Sequence, residues 1–131
     1  MFRFAGTIAC LGFMAAHAMA AHLRAAGYPA RDLHVIVPPD MPTQGNLVAL
    51  LPGSDANLKA LLLLAHIDVV EAKREDWARD PYTLVEEDGY FYGRGTSDDK
   101  AMAAIFTDAM VRFKTAGFVP KRAIKLALTC G

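Results

Sequence analysis

Two cysteines in 131 residues leave little from which to build a disulfide framework. Cys10 and Cys130 lie near opposite ends and form no C-x-x-C pair. That spacing argues against a zinc ribbon and against a cross-linked secreted mini-protein; a single bridge between the two ends stays open. Charge of one sign is equally scarce, because 14 Lys plus Arg balance 14 Asp plus Glu. Without a basic stripe, neither nucleic acid nor anionic lipid is expected as a partner. No apolar run is long enough for a membrane span. Internal repeats, low-complexity tracts and charge blocks are missing too. What is present is apolar. A hydrophobic fraction of 53% is far from a disordered composition, and the length suffices for one domain with a core.

The first twenty residues, MFRFAGTIACLGFMAAHAMA, have one early arginine, an apolar stretch and an Ala-Met-Ala ending, the outline of a signal peptide. A helix from about Ala15 into HLRAAG reads the same residues differently. Met19 and Leu23 stand four apart, and Gly27 is placed to stop the helix. Cleavage after Ala20 would cut that helix in half, so the helix is preferred, and with it a cytoplasmic over an exported chain. Residues 1–14 stay unassigned or signal-like.

Downstream, helix and strand signals alternate. LHVIV (33–37) and NLVALL (46–51) read as strands, and ALLLLAHIDVV (60–70) as a fully buried one, because its apolar run is continuous. EAKREDWARDP is polar and loop-like, anchored by Trp77 and Pro81. YTLVEEDGYFYG is a hairpin around Asp88-Gly89, the dipeptide suited to a type I′ turn. A helix from Lys100 to Phe113 presents Met102, Ile105, Phe106, Ala109, Met110 and Phe113 to the core, with Asp108 and Arg112 paired on its other side. Gly117 closes it, and AIKLALT (123–129) is a further strand. This order predicts an α/β fold, a layered mixed β-sheet flanked by helices.

Two places carry side chains that such a core does not need. His66 and Asp68 sit two apart on one strand face, where a carboxylate can set a histidine's tautomer and raise its basicity as a metal ligand. The bland alternative is a histidine satisfied at a strand end, with the aspartate capping a turn. GRGTSDDK (93–100) places adjacent carboxylates in a glycine-bearing loop before a helix. Helix capping by Ser97 or Asp98 explains part of that pattern. Imidazole plus carboxylate also suits zinc.

LLLLAHIDVV followed about thirty residues later by YGRGTSDDKAMAA, with W-x-x-D-P-Y between and L-T-C-G at the close, resembles the M20 family of zinc metallopeptidases and amidohydrolases. The resemblance covers residues 15–131, the amino-terminal part of such a catalytic domain. It implies His66 as a ligand of one zinc ion, Asp98 as the carboxylate bridging two, and Asp68 as the catalytic-site aspartate orienting His66. It also implies a cis peptide at Asp98-Asp99. Ala101 departs from the glycine usual there and leaves the ligands untouched.

The implied reaction of a complete enzyme is hydrolysis of amide bonds in small peptides or N-acyl amino acids. Two glutamates, a proton shuttle and a ligand, would follow L-T-C-G at once, and further ligands and a dimer-forming lid domain would follow those. The sequence stops at Gly131. The isolated chain is therefore expected to be inactive, to hold zinc poorly if at all, and not to form the lid-mediated dimer. A cut sheet is also expected to leave an apolar edge that aggregates or needs a partner. The competing expectation is a non-catalytic α/β module or gene remnant that retains the scaffold.

Overall fold

A computed structural model describes residues 11–130. Cys10, Gly131 and most of the leader-like segment lie outside the described residues. Helix α1 (Leu11–Ala25) begins four residues before Ala15. Ala16, Ala20 and Leu23 bury one stripe at helical spacing. The two alanines let the helix lie close to the chain beneath, where a Cβ on Gly45 would stand 2.9 Å from the Phe13 Cα.

Gly27 ends the helix in the left-handed region (φ 98°). Its N–H donates to Arg24 O and that of Tyr28 to Leu23 O, so two terminal carbonyls are satisfied. Tyr28 then bolts the two helices together, its hydroxyl donating to Met110 O at 2.9 Å. Burial, with the charge of Asp32, pushes this phenol up to about 12.

Strands β1 (Leu33–Ile36), β2 (Asn46–Leu51), β3 (Leu61–His66) and β6 (Ile124–Thr129) form one sheet in the order β1-β2-β6-β3. The pairs β1–β2 and β2–β6 are antiparallel and β3–β6 is parallel, so the sheet is mixed as the sequence predicts. The crossover from β3 to β6 contains the separate hairpin β4 (Val85–Glu87) and β5 (Tyr90–Tyr92), then helix α2 (Lys100–Thr115). Asp88 and Gly89 both have positive φ, as a type I′ turn requires.

Helix α1 packs over β1 and β2, and α2 over β3 and β6, with the helices touching each other. They therefore share one face of the sheet. The core lies between, built from Leu47, Ala49 and Leu51 of β2, Ile124, Leu126 and Leu128 of β6, and the buried stripes of the helices.

Two burial expectations need correction. The run 60–70 is a strand only over residues 61–66 and is not fully buried, since Leu61, Leu62 and Leu64 are exposed. A parallel strand is buried when both faces and both edges are covered, and β3 stands at the sheet's edge with helices on one face. In α2 the buried stripe is Ala103, Thr107 and Met110, with Phe106, Val111 and Phe113 half-buried, while Met102 and Ile105 are exposed. The helix packs on α1 as well as on the sheet, which rotates its buried arc away from the apolar maximum. The Asp108–Arg112 pair forms at 2.6 Å on the exposed side.

Candidate metal and catalytic site

His66 closes β3, and Ile67 extends the ladder by donating its N–H to Thr129 O at 2.8 Å. Strand alternation then keeps His66 and Asp68 on one side, as expected. The imidazole lies between two carboxylates. Nε2 is 3.0 Å from Asp98 Oδ1, and Nδ1 is 3.5 Å from Asp68 Oδ1. Nδ1 is buried and makes no hydrogen bond of ordinary length, whereas Asp98 is 88% exposed. The three residues singled out in the sequence are thus brought together.

The loop that delivers Asp98 is held at several points. Arg94 N–H donates to Pro81 O, and the Thr96 hydroxyl donates to Gly93 O at 2.9 Å. Pro81 is fully buried, and the Arg94 guanidinium lies 5.4 Å over the Trp77 ring. Asp80 accepts the Tyr82 N–H and the Thr83 hydroxyl, and these bonds hold its carboxyl below the usual range. Tyr82 in turn accepts the Ala72 N–H at 2.7 Å. The W-x-x-D-P-Y segment is therefore a brace between the two arms of the site.

Gly95 adopts φ 84°, and the Asp98-Asp99 peptide is cis, as the resemblance implies. The expected cap is not made. Asp99, rather than Ser97 or Asp98, occupies the N-cap position of α2, and its side chain makes no capping bond. Its Oδ2 instead accepts the backbone N–H of His66 at 3.2 Å. The adjacent carboxylates were visible in the sequence, but periodicity gives no hint that the second reaches a strand edge.

Lys100 and Cys130 were also missed. The Lys100 ammonium is enclosed without a hydrogen-bond partner. Burial pushes its pKa down, against the opposing charges of Asp68 and Cys130. Burial and then Asp68 push the Cys130 thiol up.

For His66, burial acts to lower the pKa. The Asp98 hydrogen bond and the charges of Asp68 and Asp98 together outweigh it, so the net position is above 6.5. An imidazolium between these carboxylates stabilises the fold below the unfolded-state pKa of about 6.5. That contribution is lost as pH rises through the higher folded-state value. Asp98→Asn is expected to lower the His66 midpoint in an NMR titration of the ring protons; an unchanged midpoint would show that the contact is not made in solution.

Among the described residues, no group of three or more His, Cys, Asp or Glu side chains converges as a metal site would require. What converges is a pair, one imidazole nitrogen and one carboxylate oxygen, backed by Asp68. That donor set fits zinc in kind and falls short in number.

A family model for peptidase family M20/M25/M40 matches residues 62–131. Human N-fatty-acyl-amino acid synthase/hydrolase PM20D1 is 38% identical over 78 residues, which cover 60% of this chain and 16% of that protein. Aminoacylase-1 of Sus scrofa is 38% identical over 76 residues, 56% of this chain and 19% of that protein. Among solved structures, human carnosine dipeptidase 1 aligns over 90% of this chain and 26% of its own, with 30% identity and a TM-score of 0.67. The chain spans under a fifth of the two curated relatives' length.

Proposed function

The chain belongs to peptidase family M20/M25/M40, and from that membership we propose that it carries the amino-terminal part of a zinc-dependent hydrolase. Its substrates are small peptides or N-acyl amino acids, cut at the amide bond. The observation supporting this most strongly is the His66 imidazole set between the Asp68 and Asp98 carboxylates, inside the segment that matches the family. The similarity to an aminoacylase and to a dipeptidase agrees with that substrate class.

His66 would hold one zinc ion through Nε2, and Asp98 would offer a carboxylate to two. When bound, zinc supplies Lewis acidity, acidifying water and polarising the scissile carbonyl. Asp68 faces Nδ1 and favours a proton there, which leaves the Nε2 lone pair free for a ligand. The enclosed Lys100 ammonium interacts with Asp68 by charge and balances that carboxylate within the site. The glutamate expected from the resemblance to take a proton from water, just after L-T-C-G, is not among the described residues. General acid–base catalysis contributes about 10²–10⁴-fold, so the 131-residue chain alone should not turn over amide substrates.

Zinc titration followed at the His66 ring signals tests the metal reading. With an incomplete donor set the wild-type chain is expected to show zinc-dependent shifts only at high zinc concentration, and His66→Ala and Asp98→Ala are each expected to lower that weak uptake. Equal uptake in both variants and wild type sinks the reading in favour of a non-catalytic module. Hydrolysis of a dipeptide or N-acyl amino acid by the isolated chain would overturn the expectation of inactivity.

A further inference from the structure

The geometry points to Asp99 as a positioning residue that ties the loop before α2 to the end of β3, an inference that rests on the metal reading of His66 and Asp98. Successive N–H groups along β3 alternate in direction. Those of Leu61 and Ile67 point to β6 and donate to Ala123 O and Thr129 O, at 2.8 Å each. The N–H of His66 therefore points the other way, to the edge where, among the described residues, no strand pairs with β3. There Asp99 Oδ2 accepts it at 3.2 Å, taking the place of a neighbouring strand's carbonyl.

Adjacent carboxylates thus hold one histidine at two points, Asp99 by the backbone and Asp98 by the ring at 3.0 Å. Asp99 stands at the start of α2, where its carbonyl accepts the Ala103 N–H, yet its side chain makes no cap to that helix. Among the described residues the hydrogen bond of that side chain is the one to His66. The separation of the imidazole and the Asp98 carboxylate is set by how the loop sits against the strand. Asp99 is the direct polar bond between the two backbones at that point. It acts through His66 and Asp98 and touches no reacting atom.

Amide hydrogen exchange and zinc affinity, measured on the 131-residue chain and on Asp99→Leu and Asp99→Asn, test this. In Asp99→Leu the His66 amide is expected to exchange at least tenfold faster, while the Leu126 amide at the sheet centre keeps its protection. Zinc affinity should fall about tenfold, the lower end of what loss of a supporting partner costs a metal site. Asp99→Asn retains an oxygen acceptor and should recover most of both effects. Unchanged His66 exchange in Asp99→Leu, or an Asn variant no better than Leu, would overturn the tie. So would a zinc affinity that is unmoved by Asp99→Leu but lost in His66→Ala. Zinc uptake indifferent to His66→Ala overturns the metal reading instead, and the amide exchange, which involves no metal, still decides whether Asp99 holds the strand.

Discussion

Leu64→Lys, combined with Leu62→Lys, is expected to convert a self-associating 131-residue chain into a monomer of 14.2 kDa. The N–H groups of Leu62, Leu64 and His66 all point away from β6, and Asp99 satisfies the last. Among the described residues two positions then remain unpaired, on an edge strand whose residues 61–65 carry neither charge nor proline. The leucines at 62 and 64 are 56% and 58% exposed, and Met102 and Ile105 of α2 are exposed as well. An exposed apolar edge of this kind is a template for another strand, and lysine is among the residues that blunt it. Both substitutions replace side chains already in solvent, so neither opens a cavity. Size-exclusion chromatography with light scattering measures the outcome. A wild-type chain that stays monomeric across concentrations, or a lysine variant that associates equally, would refute it.

The second large effect is expected at Gly95. Gly95→Ala should lower stability by about 3 kcal/mol, from two costs that act together. A side chain at φ 84° occupies the left-handed region, at about 1–2 kcal/mol. The new methyl would also meet Val69 Cγ1 at once and stand 3.2 Å from Lys100 Nζ, inside the packing that brings the loop to the strand. Crowding of that sort costs about 1–3 kcal/mol.

Gly89→Ala separates the two contributions. It has nearly the same φ, 80°, but nothing lies within 4 Å of the added carbon. Urea unfolding should therefore show Gly89→Ala losing about 1–2 kcal/mol and Gly95→Ala markedly more. Equal losses would mean that the loop does not press on Val69. The relief route open to Gly95→Ala is to move the loop outward, so contacts between the His66 ring and Asp98 should weaken in the same variant.

How far such features could be read in advance depended on what each one requires. The elements were legible because local patterns decide them: a β-branched run for β1, Asp88-Gly89 for the hairpin, Gly27 and Gly117 at the two helix ends. His66, Asp68 and Asp98 were legible because polar groups next to an apolar strand and before a helix need a reason. Burial was less legible. Leu62 and Leu64 look like core residues to any periodicity argument, and only the strand order β1-β2-β6-β3 leaves them outside. The same holds for Met102 and Ile105, whose exposure follows from α2 leaning on α1 as well as on the sheet. Asp99 needed three dimensions, since its bond spans thirty-three positions and joins a side chain to a backbone group.

The place of β6 in the sheet also bears on how the chain is made. It follows β3 by nearly sixty residues, yet it lies between β2 and β3 and, among the described strands, is the one bonded to both. During synthesis the β1–β2 pair and β3 therefore emerge with no strand between them, linked only through the contact of α1 with α2. Leu47 and Leu51 on one side and Leu63 on the other wait uncovered until residues 124–129 arrive. Unpaired apolar edges of this kind are what chaperones bind. A nascent chain halted before Ile124 would hold His66 and Asp68 on a strand without its described neighbour, so the arrangement around His66 waits on β6.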